Sequence, residues 1–383
     1  MRKIVFGLLF FVACQTAQQP IVRMTMWQGD PQINRYMNDW VVPEVKKRFG
    51  IRLEIAPGQG NELVKMLLAE KEAGKAQSAT DIVWINGETF FQLRQIGALD
   101  GPFVQQLPNA ALLDLESPFI GTDFQQKTDG FECPWGNVQL ALIYDTLRTP
   151  QPPRSLADFE EYVKNHPQKV TIPYEFTGMT LLKSWLWAFA KQEGETLDGP
   201  FDEAKYQRLS ARLFDYVRRL KPHLWRRGET FPESLAAMHQ LFANGELDFT
   251  MSNNDNEVDN KISQRVLPPT SKSFVFESGT IQNSHYLGIP KGAPNAAGAR
   301  EVINFLISPE AQLKKLNPQV WGDGTVLDLR KLKPAERAAF ENLPERKNAA
   351  RRADIQPFAL PEPAPEYMIR LFEDFRKHII EQK

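Results

Sequence analysis

The feature that most constrains this chain is a threefold alternation of two periodicities near its start. Residues 21–27, 51–55 and 81–85 are short apolar or alternating runs of strand length. Each leads through a turn into a stretch with apolar residues at helical spacing. Ile33, Tyr36, Met37, Trp40 and Val41 mark the first helix, with Asp30 suited to cap it, Pro31 to its first position and Gly50 to its stop. Helices over 62–74 and after 86–88 follow the second and third runs. A β-α-β-α-β-α order predicts a mostly parallel sheet with helices packed on its faces.

The later chain repeats the pattern. Strands are expected at 139–144, 169–173, 246–251 and 284–289. Helices are expected from Ser155, over 179–190, 202–219, 234–243 and 296–307, from Pro309, and over 366–380 after a Pro-rich segment at 357–365. With 383 residues, two domains or two lobes are the natural division. In open α/β sheets ligands sit beyond the carboxyl ends of the strands. The loops to watch are therefore 27–30, 58–61, 86–89, 174–178 and 252–255. They are rich in Gly, Asn and aromatic residues, which suits a cleft that needs close backbone approach, hydrogen bonds and flat apolar walls.

Composition narrows the function. Lys+Arg is 46 and Asp+Glu is 47, a net charge of −1, which lacks the basic excess of a nucleic-acid binder or a polybasic membrane-surface protein. Two cysteines make neither a disulfide framework nor a Cys-rich metal site, and the five histidines show no metal-ligand spacing. No metal and no cofactor is implied. At the N-terminus, Arg2-Lys3 precedes an apolar stretch from Ile4 to Ala13 that is too short to span a ~30 Å hydrocarbon core and fits a secretory signal, here taken as residues 1–19. Phe11-Val12-Ala13-Cys14 is similar to a bacterial lipoprotein cleavage box, making Cys14 the candidate for lipidation. That lipid would be the chain's one membrane attachment.

Several segments, in this order, resemble the solute-binding proteins of bacterial ABC importers, in the superfamily that includes the maltose-type binders. They are the signal with its Cys box, Asp81-Ile82-Val83-Trp84, Pro134-Trp135-Gly136 leading into Leu142-Ile143-Tyr144-Asp145, Phe242-Ala243-Asn244-Gly245-Glu246-Leu247-Asp248, and Leu287-Gly288-Ile289-Pro290-Lys291-Gly292-Ala293 followed by Asn304-Phe305-Leu306-Ile307-Ser308-Pro309-Glu310-Ala311. Within that superfamily the chain is similar to the YnjB type, through Trp84-Ile85-Asn86-Gly87-Glu88, Cys133-Pro134-Trp135-Gly136-Asn137, Phe176-Thr177-Gly178, Gly279-Thr280-Ile281-Gln282-Asn283-Ser284-His285, Trp321-Gly322-Asp323-Gly324 and Leu360-Pro361-Glu362-Pro363. Where that group often carries an Asn-Pro pair, this chain has Ser252-Asn253-Asn254. The resemblance implies an α/β, two-lobed periplasmic-binding-protein type II fold, each lobe a mostly parallel sheet flanked by helices, joined by crossing hinge strands. It implies lobe 1 from 20–134 plus 282–312 and lobe 2 from 135–281 plus 313–383. It also implies a periplasmic or envelope-bound monomer that captures a small-molecule solute and passes it to an ABC permease and ATPase.

The candidate solute contacts are Trp27, Asp30, Asn86, Gly87, Glu88, Trp135, Phe176, Thr177, Asn253, Asn254, Asn283 and His285. Trp27, Trp135 and Phe176 suit stacking on a planar or sugar-like ligand, or a cation–π wall. Asp30 and Glu88 suit a cation, with helix capping and a solvated first turn as their ordinary roles. The Gly58-Gln59-Gly60-Asn61 and Thr177-Gly178 helix starts suit an anion. Solute charge therefore stays open, with a small organic ligand bearing a stackable part favoured. A ferric-ion or oxyanion binder of the same fold is one alternative. Another is a secreted enzyme using Cys133 as nucleophile and His285 as base. A cell-surface interaction protein would predict repeats or apolar patches, and the sequence shows neither.

Overall fold

The computed structural model describes residues 19–382. Residues 1–18, and with them Cys14 and nearly all of the signal expected over 1–19, lie outside the described residues. The strands are β1 (Ile21–Met26), β2 (Arg52–Pro57), β3 (Ile82–Ile85), β4 (Leu99–Asp100), β5 (Thr122–Asp123), β6 (Gln126–Lys127), β7 (Glu132–Gln139), β8 (Ala141–Asp145), β9 (Phe249–Ser252), β10 (Ser271–Phe274), β11 (Thr280–Pro290) and β12 (Ala359–Leu360).

The first sheet runs β12-β11-β3-β1-β2, and β4 and β7 also pair with β11. β1 is parallel to β2 and β3, as the β-α-β pattern requires. The helix after β1 starts as expected: the Asp30 side chain accepts from the Gln32 N–H and Pro31 holds the first position. It passes through a π-helical turn, Tyr36–Val41, and stops at Gly50, whose φ of 66° a side chain would strain.

The second sheet, β10-β8-β9, departs from expectation. Both of its pairings are antiparallel, so the mostly parallel sheet expected in each lobe does not form here. The 169–173 strand also fails to form. Its carbonyls accept single bonds from Trp225 and Asp248 on different segments, so it has no continuous ladder partner. The helix over Phe176–Gln192 is buried on nearly every side, packed against helices Glu203–Leu220 and Pro365–Phe375.

The chain crosses between the sheets twice, side by side. β7 leads through Leu140 into β8, where the sequence suggests one strand over 139–144. β11 returns antiparallel to β7, from Gln282 opposite Gln139 to Gly288 opposite Glu132. The register slips between His285 and Tyr286, whose partners are Gly136 and Pro134, leaving Trp135 as the extra residue of a bulge. A proline cannot donate to a ladder, and a bulge is where a sheet accommodates one.

Separate hydrophobic cores lie under the two sheets. Trp135, Trp321, Val326, Leu327, Leu332 and Phe340, expected with the second lobe, pack instead into the core under β1. No helix among the described residues is long and apolar enough to cross a membrane.

Candidate functional site

The carboxyl ends of β1 and β3 and the crossing strands converge on one region, which holds two clusters of opposite character. The first is aromatic. Trp84, on β3, stacks on His285 of β11 with ring centroids 4.4 Å apart and planes 12° from parallel. Trp321 covers the other side of His285 at 5.8 Å. Trp135 meets Trp84 edge-on at 5.1 Å and is 0 % exposed. The His285 Nε2 lies 3.2 Å from the Asp323 carboxylate, which also pairs with the buried Lys315. Gly136 sits opposite His285 because nothing larger fits: a Cβ there would come within 2.1 Å of both His285 and Asp323. Trp135 and His285, expected to face a ligand, are thus corrected to packing roles. The bulge turns the indole into the core, and two tryptophans enclose the imidazole.

Trp27 is half-buried at the end of β1, 6.5 Å from Trp84 by ring centroids, and stays beside the cleft. Asp30 is spoken for. Besides capping its helix it pairs with Lys261 at 2.9 Å, and Lys261 pairs with Glu257 at 2.9 Å, so the contact joins the β1 end to the helix that follows β9.

The second cluster is acidic. Gly87 has a φ of +59°, and the Phe176 ring lies where its Cβ would be, 2.9 Å away. Behind this contact Lys183, 0 % exposed in the middle of its helix, pairs with Glu362. Asn283 donates to the other Glu362 oxygen at 3.1 Å. The Lys183 ammonium sits 4.5 Å over the Phe124 ring and 5.6 Å over the Phe176 ring. Asp123, Phe124, Asn283, Ser284 and Glu362 line a small pocket with Thr122. The Asp123 Oδ2 is buried there without a hydrogen-bond partner. Burial pushes the Asp123 carboxyl well above the usual carboxylate range, and the nearby Glu362 and Glu88 charges add to the rise against Lys183. Burial likewise raises Glu362, with Lys183 opposing, and lowers Lys183.

The remaining candidates divide. Asn253 donates to the Thr177 hydroxyl at 3.1 Å. The Asn254 side chain accepts from the Asn256 N–H, a turn-forming role. The Thr177 and Gly178 N–H groups, expected to suit an anion, already bind the Glu175 carboxylate at 2.8 and 3.1 Å. Asn86 and Glu88 flank Gly87 at the start of helix Thr89–Gln95, and no side chain caps it.

Cys133 is buried, and burial with the adjoining Glu132 pushes its thiol far up. Its register partner is Leu287, not His285, so the weighed nucleophile–base pairing does not form. Among the described residues no group of three or more His, Cys, Asp or Glu side chains is placed to hold a metal ion.

Asp123, Lys183, Glu362 and Lys261 escape the sequence reading. Lys183 had a signal, being the one charged residue between Phe176 and Ala190. Glu362 appears only within a Pro-rich tail segment, and nothing near Asp123 marks it.

The sequence profile described as bacterial extracellular solute-binding protein matches residues 40–342. The chain belongs to this family. It is 37% identical over 330 residues to protein YnjB of Escherichia coli K12, covering 85% of this chain and 84% of that protein. Its fold is similar to an ABC transporter substrate-binding protein from Bradyrhizobium japonicum, with a TM-score of 0.65, 18% identity and coverage of 93% and 99% of the two chains. It is similar too to the TpPotD lipoprotein of Treponema pallidum, with a TM-score of 0.65, 13% identity and coverage of 94% and 99%. A third similar structure is the periplasmic binding protein AfuA of Actinobacillus pleuropneumoniae with fructose-6-phosphate bound, with a TM-score of 0.63, 14% identity and coverage of 94% and 99%. The fold is thus the two-lobed type II fold of periplasmic binding proteins. As a member of that family it is an extracellular solute-binding protein.

Proposed function

We propose that this solute-binding protein holds a small organic solute with a flat, stackable part between its lobes, bounded by Trp27, Asn86, Gly87, Glu88, Phe176, Thr177, Asn253 and Asn283. What carries this reading is the meeting of Phe176 with Gly87 beside Lys183, Glu362 and Asn283. It sets an aromatic face from one side of the cleft against the strand end of the other, next to polar groups that no core packing requires. The lobes are 20–134 plus 282–312 and 135–281 plus 313–383, with 321–340 seated on the first lobe because its side chains pack there. β7 and β11 are the hinge. Solute stabilises the closed form by its higher affinity for that form. The protein acts as a monomer, anchored through lipid on Cys14.

Native mass spectrometry of protein taken from its own cell envelope tests the capture. The expected result is a small-molecule mass excess that disappears on unfolding and raises the melting temperature when returned. A tight ligand at about 100 times its dissociation constant adds about 2.7 kcal/mol. Protein that carries no solute, and whose melting no extract of small molecules shifts, would contradict the reading. Detergent-phase partitioning lost in Cys14→Ser checks the anchor.

A further inference from the structure

We propose that the pocket lined by Asp123 and Glu362 receives the positively charged end of an organic solute. This deepens the reading above and rests on it. The first ground is a charge count. Asp123 and Glu362 line one pocket, and among the described residues the one lysine bonded there, Lys183, pairs with Glu362 and not with Asp123. Asn283 and Lys183 satisfy Glu362, whereas the Oδ2 of Asp123, a pocket-lining residue 3 % exposed, has no partner; the buried Glu132, whose two oxygens are also unpartnered, does not line the pocket. A buried ionised carboxylate is costly unless a cation or strong donors meet it.

The second ground is independent of the acids. The rings of Phe124 and Phe176 already present their faces to a cation, the Lys183 ammonium. An ammonium or a delocalised cation entering beside it meets the same faces. The alternative fits less well. An anion finds the nearest helix-start N–H groups occupied by Glu175 and the Lys183 charge engaged by Glu362.

The charged and titratable groups near enough to act on Asp123 are Glu362, Lys183 and Glu88, and Asp123 in turn acts on Glu132 and Tyr286, with Arg94 beside Glu132. Burial favours the protonated acid in the empty pocket, and a bound cation favours the ionised one. Binding of a cation therefore releases a proton, and affinity tightens as pH rises through the raised Asp123 range.

The test is a melting-temperature screen of the full chain with putrescine, agmatine, choline and thiamine as cations, and glucose, sulfate and glutamate as comparisons. At saturation at least one cation is expected to raise the melting temperature by about 5 °C. In Asp123→Asn, which removes an unpartnered buried acid and so keeps the fold, its apparent affinity should fall about 30-fold or more. Glu362→Gln is the second variant and should weaken the same cation. A response to glucose, sulfate or glutamate that Asp123→Asn leaves unchanged would overturn the cation while keeping the solute-binding reading. No response to any of the four cations would also overturn it, and the envelope-purified protein then tests the broader reading on its own.

Discussion

The two clusters beside the hinge are built from similar parts and are balanced differently. In the aromatic cluster, one buried acid, Asp323, faces Lys315 and His285, and two tryptophans enclose the histidine with Trp135 at its edge. In the acidic cluster, Lys183 pairs with Glu362, and Asp123 keeps an oxygen with no partner. The first also keeps a buried oxygen without a partner, Asp323 Oδ1, but its acid has a lysine of its own. In the second, Asp123 has no cation bonded to it among the described residues, and that is the property expected of a surface that waits for something else. Aromatic residues alone do not mark the site: Trp135 has the flanking Pro and Gly of a hinge contact and still belongs to the core.

The largest expected effect tests the aromatic side. Trp135→Ala should cost about 3–5 kcal/mol in chemical unfolding, as loss of a buried aromatic does, and leave solute affinity within a few-fold. Lost affinity at unchanged stability would place Trp135 in the site and erase the contrast. Next is Lys183→Met, which leaves Glu362, Asp123 and Glu88 without their cation. Unfolding should show about 3 kcal/mol lost near neutral pH. With their folded-state pKa values raised, Asp123 and Glu362 ionise more readily once unfolded, so the deficit should shrink as pH falls toward 5. A deficit that is the same at both pH values would mean the acids are not coupled through Lys183.

His239 sharpens the same measurement. Burial and then the Lys261 charge hold its imidazole down to about 4 from 6.5, so the fold keeps it neutral. Its contribution is intact above pH 6.5 and is lost as pH falls toward 4, amounting to about 2 kcal/mol by pH 5. His239→Gln should flatten that limb of the stability curve. The proton release assigned to Asp123 is therefore cleanest in that background. The smallest effect is at Lys261. Lys261→Met breaks the Asp30 contact across the cleft and should cost about 1 kcal/mol while enlarging the radius of gyration of the empty protein in small-angle scattering. An unchanged radius would show that the ion pair does not hold the lobes together.

Much of the fold is legible in the sequence because it rests on local chemistry. The alternation at 21–85, the Asp30–Pro31 start, the Ser155 cap and the Gly50 stop each depend on neighbours in the chain. What local chemistry does not carry is misread. The 169–173 run has strand composition but no partner, and the second sheet takes its antiparallel order from segments as far apart as β8 and β10. The site divides in the same way. Trp27, Gly87, Glu88 and Phe176 follow from the rule that ligands meet strand ends, and the structure brings Phe176 against Gly87. Trp135 goes astray because a bulge reverses the direction of one residue. Asp123, Lys183 and Glu362 meet from positions up to 239 residues apart, and no periodicity announces such a meeting.

The most direct measurement is a crystal structure of the protein taken from its own envelope with its solute in place. The account predicts solute density between the lobes, with a cationic group within about 3 Å of the Asp123 and Glu362 carboxylates and a face against Phe124 or Phe176. Solute held elsewhere in the cleft, with Asp123 still unpartnered and Lys183 alone among the acids, would contradict it.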